Sequence, residues 1–180
     1  FQAMAEGVFA SVERVTDIAA VPTALTGYLK RENLPAQVVM AADESLSNTP
    51  WDNEPLLEIR RGVPNETDMV SVTSAPVAVA ETGTLVMFSS ADHPSTLNFL
   101  PETHVVVLPV SRIAKTYEDV WDLIRARMAD GHNGLDDLPP RTVNFITGPS
   151  RSGDIEQTLL LGAHGPRRLH IILVDDDETV

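Results

Sequence analysis

Three stretches of this chain are apolar with almost no interruption: Val38-Val-Met-Ala41, Val105-Val-Val-Leu-Pro-Val110 and Ile171-Ile-Leu-Val174. A strand built from such a run has no polar face to turn toward water. It needs cover on both sides, as in the parallel sheets of α/β proteins. Helical spacing supplies the cover. Tyr117, Val120, Trp121, Ile124 and Met128 recur at i, i+3, i+4, i+7 and i+11, behind a Thr116-Tyr-Glu-Asp119 start. That spacing places Trp121 in the core. Ile18, Val21, Leu25 and Leu29 mark a second helix, begun near Thr16-Asp17, with Pro22 tolerable only in a first turn. The expected class is α/β.

Other segments fill in the order. Phe1 to Glu6 reads as a helix end closed by Gly7, and Val8 to Val12 as a short strand. Met69 to Ser90 is rich in strand formers and is broken by Glu81-Thr-Gly-Thr84. The simplest reading is two strands and a tight turn, with Gly83 at positive φ. This antiparallel hairpin would make the sheet mixed. Asp43 to Pro64, with three prolines, reads as a long connection of modest order, and nothing in its residues requires a lid. Residues 1–180 are expected to form one domain. Phe1 in place of a methionine implies that the native N-terminus is missing.

Charge and composition exclude whole classes of function. With 13 Lys and Arg against 26 Asp and Glu, the net charge is -13. Nucleic acid and anionic membranes want a basic face, so neither is an expected partner. No apolar run approaches the roughly eighteen residues of a membrane span. Cysteine is absent, which removes disulfides, thiol catalysis and iron–sulfur ligation from this chain. The five histidines show no metal-binding spacing. Cytoplasmic location is the expectation.

The stretch that points to a site is Thr147 to Pro166. Val143-Asn-Phe-Ile-Thr147 leads in and Leu169 to Val174 leads out, giving strand, loop, helix and strand, the size of a βαβ unit. The loop Gly148-Pro-Ser-Arg-Ser-Gly153 lacks the lysine of a Walker loop, the G-x-G-x-x-G spacing and the G-x-S-x-G elbow. What remains is a small-residue turn at a helix start, carrying Gly148, Ser150, Arg151 and Ser152, with Asp154 in the first helical turn. Arg151 can hold a carboxylate or phosphate with two hydrogen bonds. The competing reading is a turn capped by Ser152, with Arg151 paired to an acid and Asp154 and Glu156 satisfying the helix dipole. In α/β sheets ligands gather beyond the carboxyl ends of strands, and the Ser150 loop is the one assigned there. His164, in Gly-Ala-His-Gly-Pro166, stands at the opposite end of the same helix, where a capping role competes with a ligand role.

Glu81 follows a buried-strand pattern and is a candidate general base or nucleophile, with Thr82, Gly83 and Thr84 beside it. The alternative is a hairpin turn whose threonines bond the backbone. His104 and His170 lie in strand patterns and read as core or surface residues. His93 and His132 read as loop residues.

Three blocks together resemble the lactate utilisation protein C family, whose members carry the LUD domain. They are Ala80-Glu-Thr-Gly-Thr-Leu-Val86, Leu100-Pro-Glu-Thr-His-Val-Val-Val107, and Ile146 to Leu159 with Leu161-Gly-Ala-His-Gly-Pro166. The likeness covers residues 65 to 175; the first 60 carry no motif. Where the family more often has Thr-Ala, this chain has Ser152-Gly153. The resemblance implies a three-layer α/β/α fold like that of ribose-phosphate isomerases, glucosamine-phosphate isomerases and coenzyme-A transferases. It also implies a part in oxidising L-lactate to pyruvate beside two iron–sulfur subunits. Those partners would carry the redox centres, with no cofactor in this chain. Two alternatives stay open. One is a stand-alone isomerase- or transferase-like enzyme on a phosphorylated or coenzyme-A-linked substrate. The other is an assembly module without a small-molecule site.

Overall fold

A computed structural model describes residues 1–129, 140–152, 160–161 and 164–176. Gly153, Asp154, Glu156 and His132 lie outside them. The elements run α1 Gln2–Gly7, β1 Ser11–Val15, α2 Val21–Arg31, β2 Gln37–Met40, α3 Glu44–Ser47, β3 Glu58–Arg61, β4 Val70–Ser74, β5 Val77–Val79 and β6 Thr84–Phe88. They continue with α4 Thr96–Phe99, β7 Thr103–Pro109, β8 Ile113–Ala114, α5 Tyr117–Ala129, β9 Val143–Ile146, β10 Arg151–Ser152, β11 Leu160–Leu161 and β12 Arg168–Val174. Among the described residues no helix is long and apolar enough to cross a membrane.

The apolar runs form the middle of a six-stranded sheet, in the order β1-β12-β7-β4-β2-β3, with every pair parallel. Side chains alternate between its faces, as strand geometry demands. Val105 and Val107 of β7 pack with Val70, Val72, Ile172 and Val174 beneath α2, whose Val21, Leu25 and Leu29 close that core. Val106 and Leu108 face the other way, with Leu169, Ile171 and Leu173.

That second face is covered by α1 and by another sheet. β8-β5-β6-β9 form four strands, antiparallel except for the β5–β8 pair. Ala78, Leu85 and Met87 point into the main sheet, while Val77, Val79 and Val86 point outward to Val120 and Ile124 of α5. The expected α/β class, parallel sheet and antiparallel hairpin are all present. The hairpin, however, lies in its own sheet rather than making the main sheet mixed. Met69 to Ser90 therefore holds three strands, because the chain leaves the main sheet at Ala75-Pro76 between β4 and β5.

Local signals explain the helix starts. The Asp17 carboxylate accepts from the N–H groups of Ala19 and Ala20 at 2.8 and 3.1 Å, ahead of a 3₁₀ turn that runs into α2. Thr116 and Asp119 cap α5 reciprocally, N–H to side chain in both directions, at 2.9 and 3.2 Å. Two readings need correction. Trp121 is 42% exposed, because the four-stranded sheet is narrow and Val120 and Ile124 fill the contact; the indole instead leans on Phe145 with centroids 5.5 Å apart. Gly7 remains inside α1, and the left-handed residue that follows the helix is Phe9, at φ 71°. The Asp43–Pro64 connection is more ordered than expected. It contains α3, a 3₁₀ turn whose Trp51 donates to the Leu46 carbonyl at 2.7 Å, and the edge strand β3.

Candidate functional site

Gly148 begins the loop that builds the site. It has φ 81°, and a Cβ there would stand 2.3 Å from the carbonyl oxygen of Val8. No larger residue allows the loop to pass α1's exit so closely. Arg151 and Ser152, which follow, are extended and pair antiparallel with Leu161 and Leu160; the helix expected from Asp154 onward starts outside the described residues. The Ser150 N–H donates to the Pro166 carbonyl at 2.9 Å, which closes the base of the loop. Gly165 sits against Ser150, where an added Cβ would approach the serine Cβ to 3.3 Å. Ser150 and His164, read as opposite ends of one helix, are thus brought to one place.

They share a cavity of about 280 Å³. Its wall includes Phe145, Thr147, Gly148, Ser150 and Arg151 from β9 and its loop, His164 to Pro166 from the returning chain, and His104 and Leu169 from the main sheet. His104 and Leu169 face each other in register and are the second residues of β7 and β12. The cavity therefore lies at the amino-terminal edge of the parallel sheet, not beyond its carboxyl ends. The loop does follow a strand's carboxyl end, but that strand, β9, belongs to the second sheet.

Arg151 is exposed, and its guanidinium rests 4.4 Å from the centroid of the Phe9 ring. Phe9 is itself 66% exposed, and its left-handed backbone is strained for a bulky side chain. Among the described residues Arg151 has no carboxylate partner. A guanidinium stacked by its face on an aromatic ring can still offer its N–H edge to an anion.

The Glu81–Thr84 turn does not line the cavity but is wired to it. Thr84 Oγ1 lies 2.7 Å from Thr147 Oγ1, 2.7 Å from Thr82 Oγ1 and 3.0 Å from the Tyr117 hydroxyl. Thr82 also donates to the Tyr117 oxygen at 3.3 Å. Glu81 is exposed and accepts the Tyr117 N–H at 3.1 Å, capping α5. Burial pushes the Tyr117 phenol up, but hydroxyls of Thr82, Thr84 and Thr147 outweigh it and the net shift is downward. Tyr28, the other tyrosine, is pushed up to about 12 by burial and then by Glu32. The two phenols should ionise in separate steps in an ultraviolet titration. Thr84→Val is expected to move the lower step upward while leaving the upper one in place; an unchanged lower step would break the assignment.

The residue that sequence reasoning passed over is His104. It is 0% exposed, yet it lines the cavity. Its Nε2 lies 2.8 Å from Thr73 Oγ1, and its Nδ1 has no partner. Burial, followed by the influence of His93, lowers its pKa to about 3, so the ring is neutral at ordinary pH. The signal was present in Val70-Ser-Val-Thr-Ser74 and His104-Val-Val-Val107. Polar residues on one face of otherwise apolar central strands need a reason to be there.

The LUD domain model matches residues 65–174, more than half of the chain. Lactate utilization protein C of Bacillus subtilis is 39% identical over 107 residues, covering 59% of this chain and 42% of that protein. Its counterpart in Bacillus velezensis is 32% identical over 138 residues, covering 74% and 53%. The chain spans about half the length of the curated relatives it matches. The crystal structure of a DUF162 family protein from Deinococcus radiodurans superposes with a TM-score of 0.65 at 21% identity, covering 96% of this chain and 94% of that one. This last likeness speaks for the fold alone. The resemblance read from the three sequence blocks is borne out, and with the turn, the loop and the β7–β12 wall all inside the matched span, this chain belongs to the LUD domain family.

Proposed function

We propose that this chain serves lactate utilisation as a non-redox component that holds a small organic anion beside Arg151. The observation that carries the reading is the cavity itself, lined by a hydroxyl-bearing loop and by Arg151, which has no carboxylate partner among the described residues, in a chain similar to lactate utilization protein C. L-lactate is oxidised to pyruvate by iron–sulfur partner subunits in the cytoplasm; this chain contributes binding and assembly and carries no redox group. Ser150, Arg151 and His164 form the ligand-facing set. The Thr82 and Thr84 hydroxyls position Thr147 in the cavity wall, and Glu81 acts through its cap on α5.

Arg151→Ala in the whole protein is expected to abolish growth on lactate while the protein stays folded and abundant. Normal growth of that variant on lactate removes Arg151 from the function. A thermal-shift series separates this reading from a stand-alone transferase. Lactate or pyruvate at about 100 times its Kd should stabilise the protein by about 2.7 kcal/mol, and sugar phosphates or acyl-coenzyme A should not.

A further inference from the structure

We infer that Phe9 is the positioning residue of the anion site: its ring holds the Arg151 guanidinium in place at the cavity wall before any ligand arrives. This rests on the reading of the cavity as an organic-anion site. It goes beyond that reading by assigning a residue outside the Ser150 loop, and outside the span the LUD domain model matches, that sets the affinity.

Three observations carry it. First, Phe9 stands where a bulky residue is costly. α1 closes with the Ala10 N–H on the Ala5 carbonyl at 3.1 Å and the Phe9 N–H on the Glu6 carbonyl at 3.0 Å. That pair of bonds puts the residue after the helix cap in the left-handed region, where glycine is the usual occupant. Here the residue is Phe9, at φ 71°. Second, burial does not offset this strain. The ring is 66% exposed, and among the described residues it joins none of the hydrophobic clusters that hold the sheets and helices together. What it meets is Arg151, whose guanidinium carbon lies 4.4 Å from the ring centroid, within cation–π range. Strained residues of this kind concentrate at functional sites. Third, the contact is built on backbone. Gly148 passes the Val8 carbonyl so closely that a Cβ would stand 2.3 Å from that oxygen. Phe9 follows Val8 directly and Arg151 comes three residues after Gly148, so ring and guanidinium are carried in by two segments that already touch.

The consequence for binding is entropic. An arginine has many rotamers, and among the described residues no carboxylate holds this one. A guanidinium already stacked has less freedom to lose when an anion meets its N–H edge, so the anion binds more tightly.

The test compares Phe9→Gly, Phe9→Leu and Phe9→Trp in the whole protein. Three quantities are measured: affinity for L-lactate and pyruvate by calorimetric titration, the urea midpoint, and the NMR shift of the Arg151 δ protons, assigned by its loss in Arg151→Lys. In the unaltered protein the ring current should move those protons upfield. Phe9→Gly is expected to raise the urea midpoint, because glycine relieves the left-handed strain. The same variant should weaken lactate or pyruvate binding about two- to fivefold and return the δ protons to their ordinary position. Phe9→Leu should lose the same affinity without the gain in stability, and Phe9→Trp should keep both the shift and the affinity. A joint fall of midpoint and affinity in Phe9→Gly makes Phe9 merely structural and overturns the inference. Unchanged affinity in Phe9→Gly and Phe9→Leu, or δ protons at their ordinary position in the unaltered protein, overturns it too. Each of these results leaves the anion site standing. No binding of lactate or pyruvate to the unaltered protein overturns the anion site, and the inference with it.

Discussion

Gly83→Ala is expected to destabilise the folded protein by about 3 kcal/mol or more, a large share of a typical domain's stability. Two effects add. Gly83 has φ 67°, where a residue with a Cβ is strained. An added Cβ would also stand 2.3 Å from the Ala5 nitrogen, 2.6 Å from Ala5 Cα and 2.7 Å from the Met4 carbonyl carbon. All three are helix backbone, so no side chain can swing away. Relief requires α1 to lift from the turn, and Ala5 is part of the core between the two sheets. Urea unfolding should show a lower midpoint with an unchanged slope. Gly7→Ala is the control: Gly7 is helical, with nothing within 4 Å of its missing Cβ, and it should be neutral or gain up to about 1 kcal/mol. Equal midpoints for the two variants would contradict the packing argument.

Acid is expected to destabilise the folded protein steadily between about pH 6.5 and about pH 4. Two histidines are buried and neutral. His104 is lowered to about 3 by burial and then by His93, and His170 to about 4 by burial and then by Arg31. His170 is stacked on Tyr28, with ring centroids 3.8 Å apart, and its Nδ1 lies 2.8 Å from Ser11 Oγ. In the unfolded chain both titrate near the ordinary value of about 6.5. Above that pH neither state binds the protons and no stability depends on them. Below it the unfolded chain takes up two protons that the folded chain refuses, so stability falls as pH falls. The slope approaches about 1.4 kcal/mol per pH unit for each ring, roughly 3 kcal/mol each by pH 4. The window for His170 closes near pH 4 and that for His104 near pH 3. Urea unfolding at a series of pH values should show stability rising from pH 4 to 6.5 and level above it. His170→Gln should flatten part of that rise. A level profile across the whole window would show that neither ring is buried as described.

Much of the fold could be read in advance, for identifiable reasons. Val105 to Leu108 and Ile171 to Val174 have no polar face, and only a central strand can use such a run. Asp17, Thr116 and Asp119 sit where their short side chains reach free N–H groups a few residues away. These are local matters, settled within one turn of chain. The positive φ of Gly83 was equally visible, since a turn between two strands needs it. The assignment of the hairpin was not. Strand periodicity reports that a segment is buried, but not in which sheet, and Ala75-Pro76 gives no sign that the chain changes layers there.

The candidate site shows the same division more sharply. Arg151 and Ser150 were legible because a chain keeps small residues, hydroxyls and one cation together only in a demanding loop. Leu160 and Leu161, expected within the helix, pair as a strand with Ser152 and Arg151 instead, and the expected first helical turn at Asp154 to Glu156 lies outside the described residues. Trp121 was misplaced because periodicity gives a face and not the width of its partner.

By itself, then, the sequence determined the class of fold, the central strands, the helix starts at Asp17 and Thr116 and the loop that identifies the family, because each depends on neighbours a few residues apart. Only the tertiary structure decided that Ser150 meets Pro166, that Thr84 meets Thr147 across 63 positions, and that His104 joins the Ser150 loop in the wall of one cavity. Those contacts join distant parts of the chain, and their free energy exists only once β6 has paired with β9 and the chain returning toward β12 has come back against the Ser150 loop.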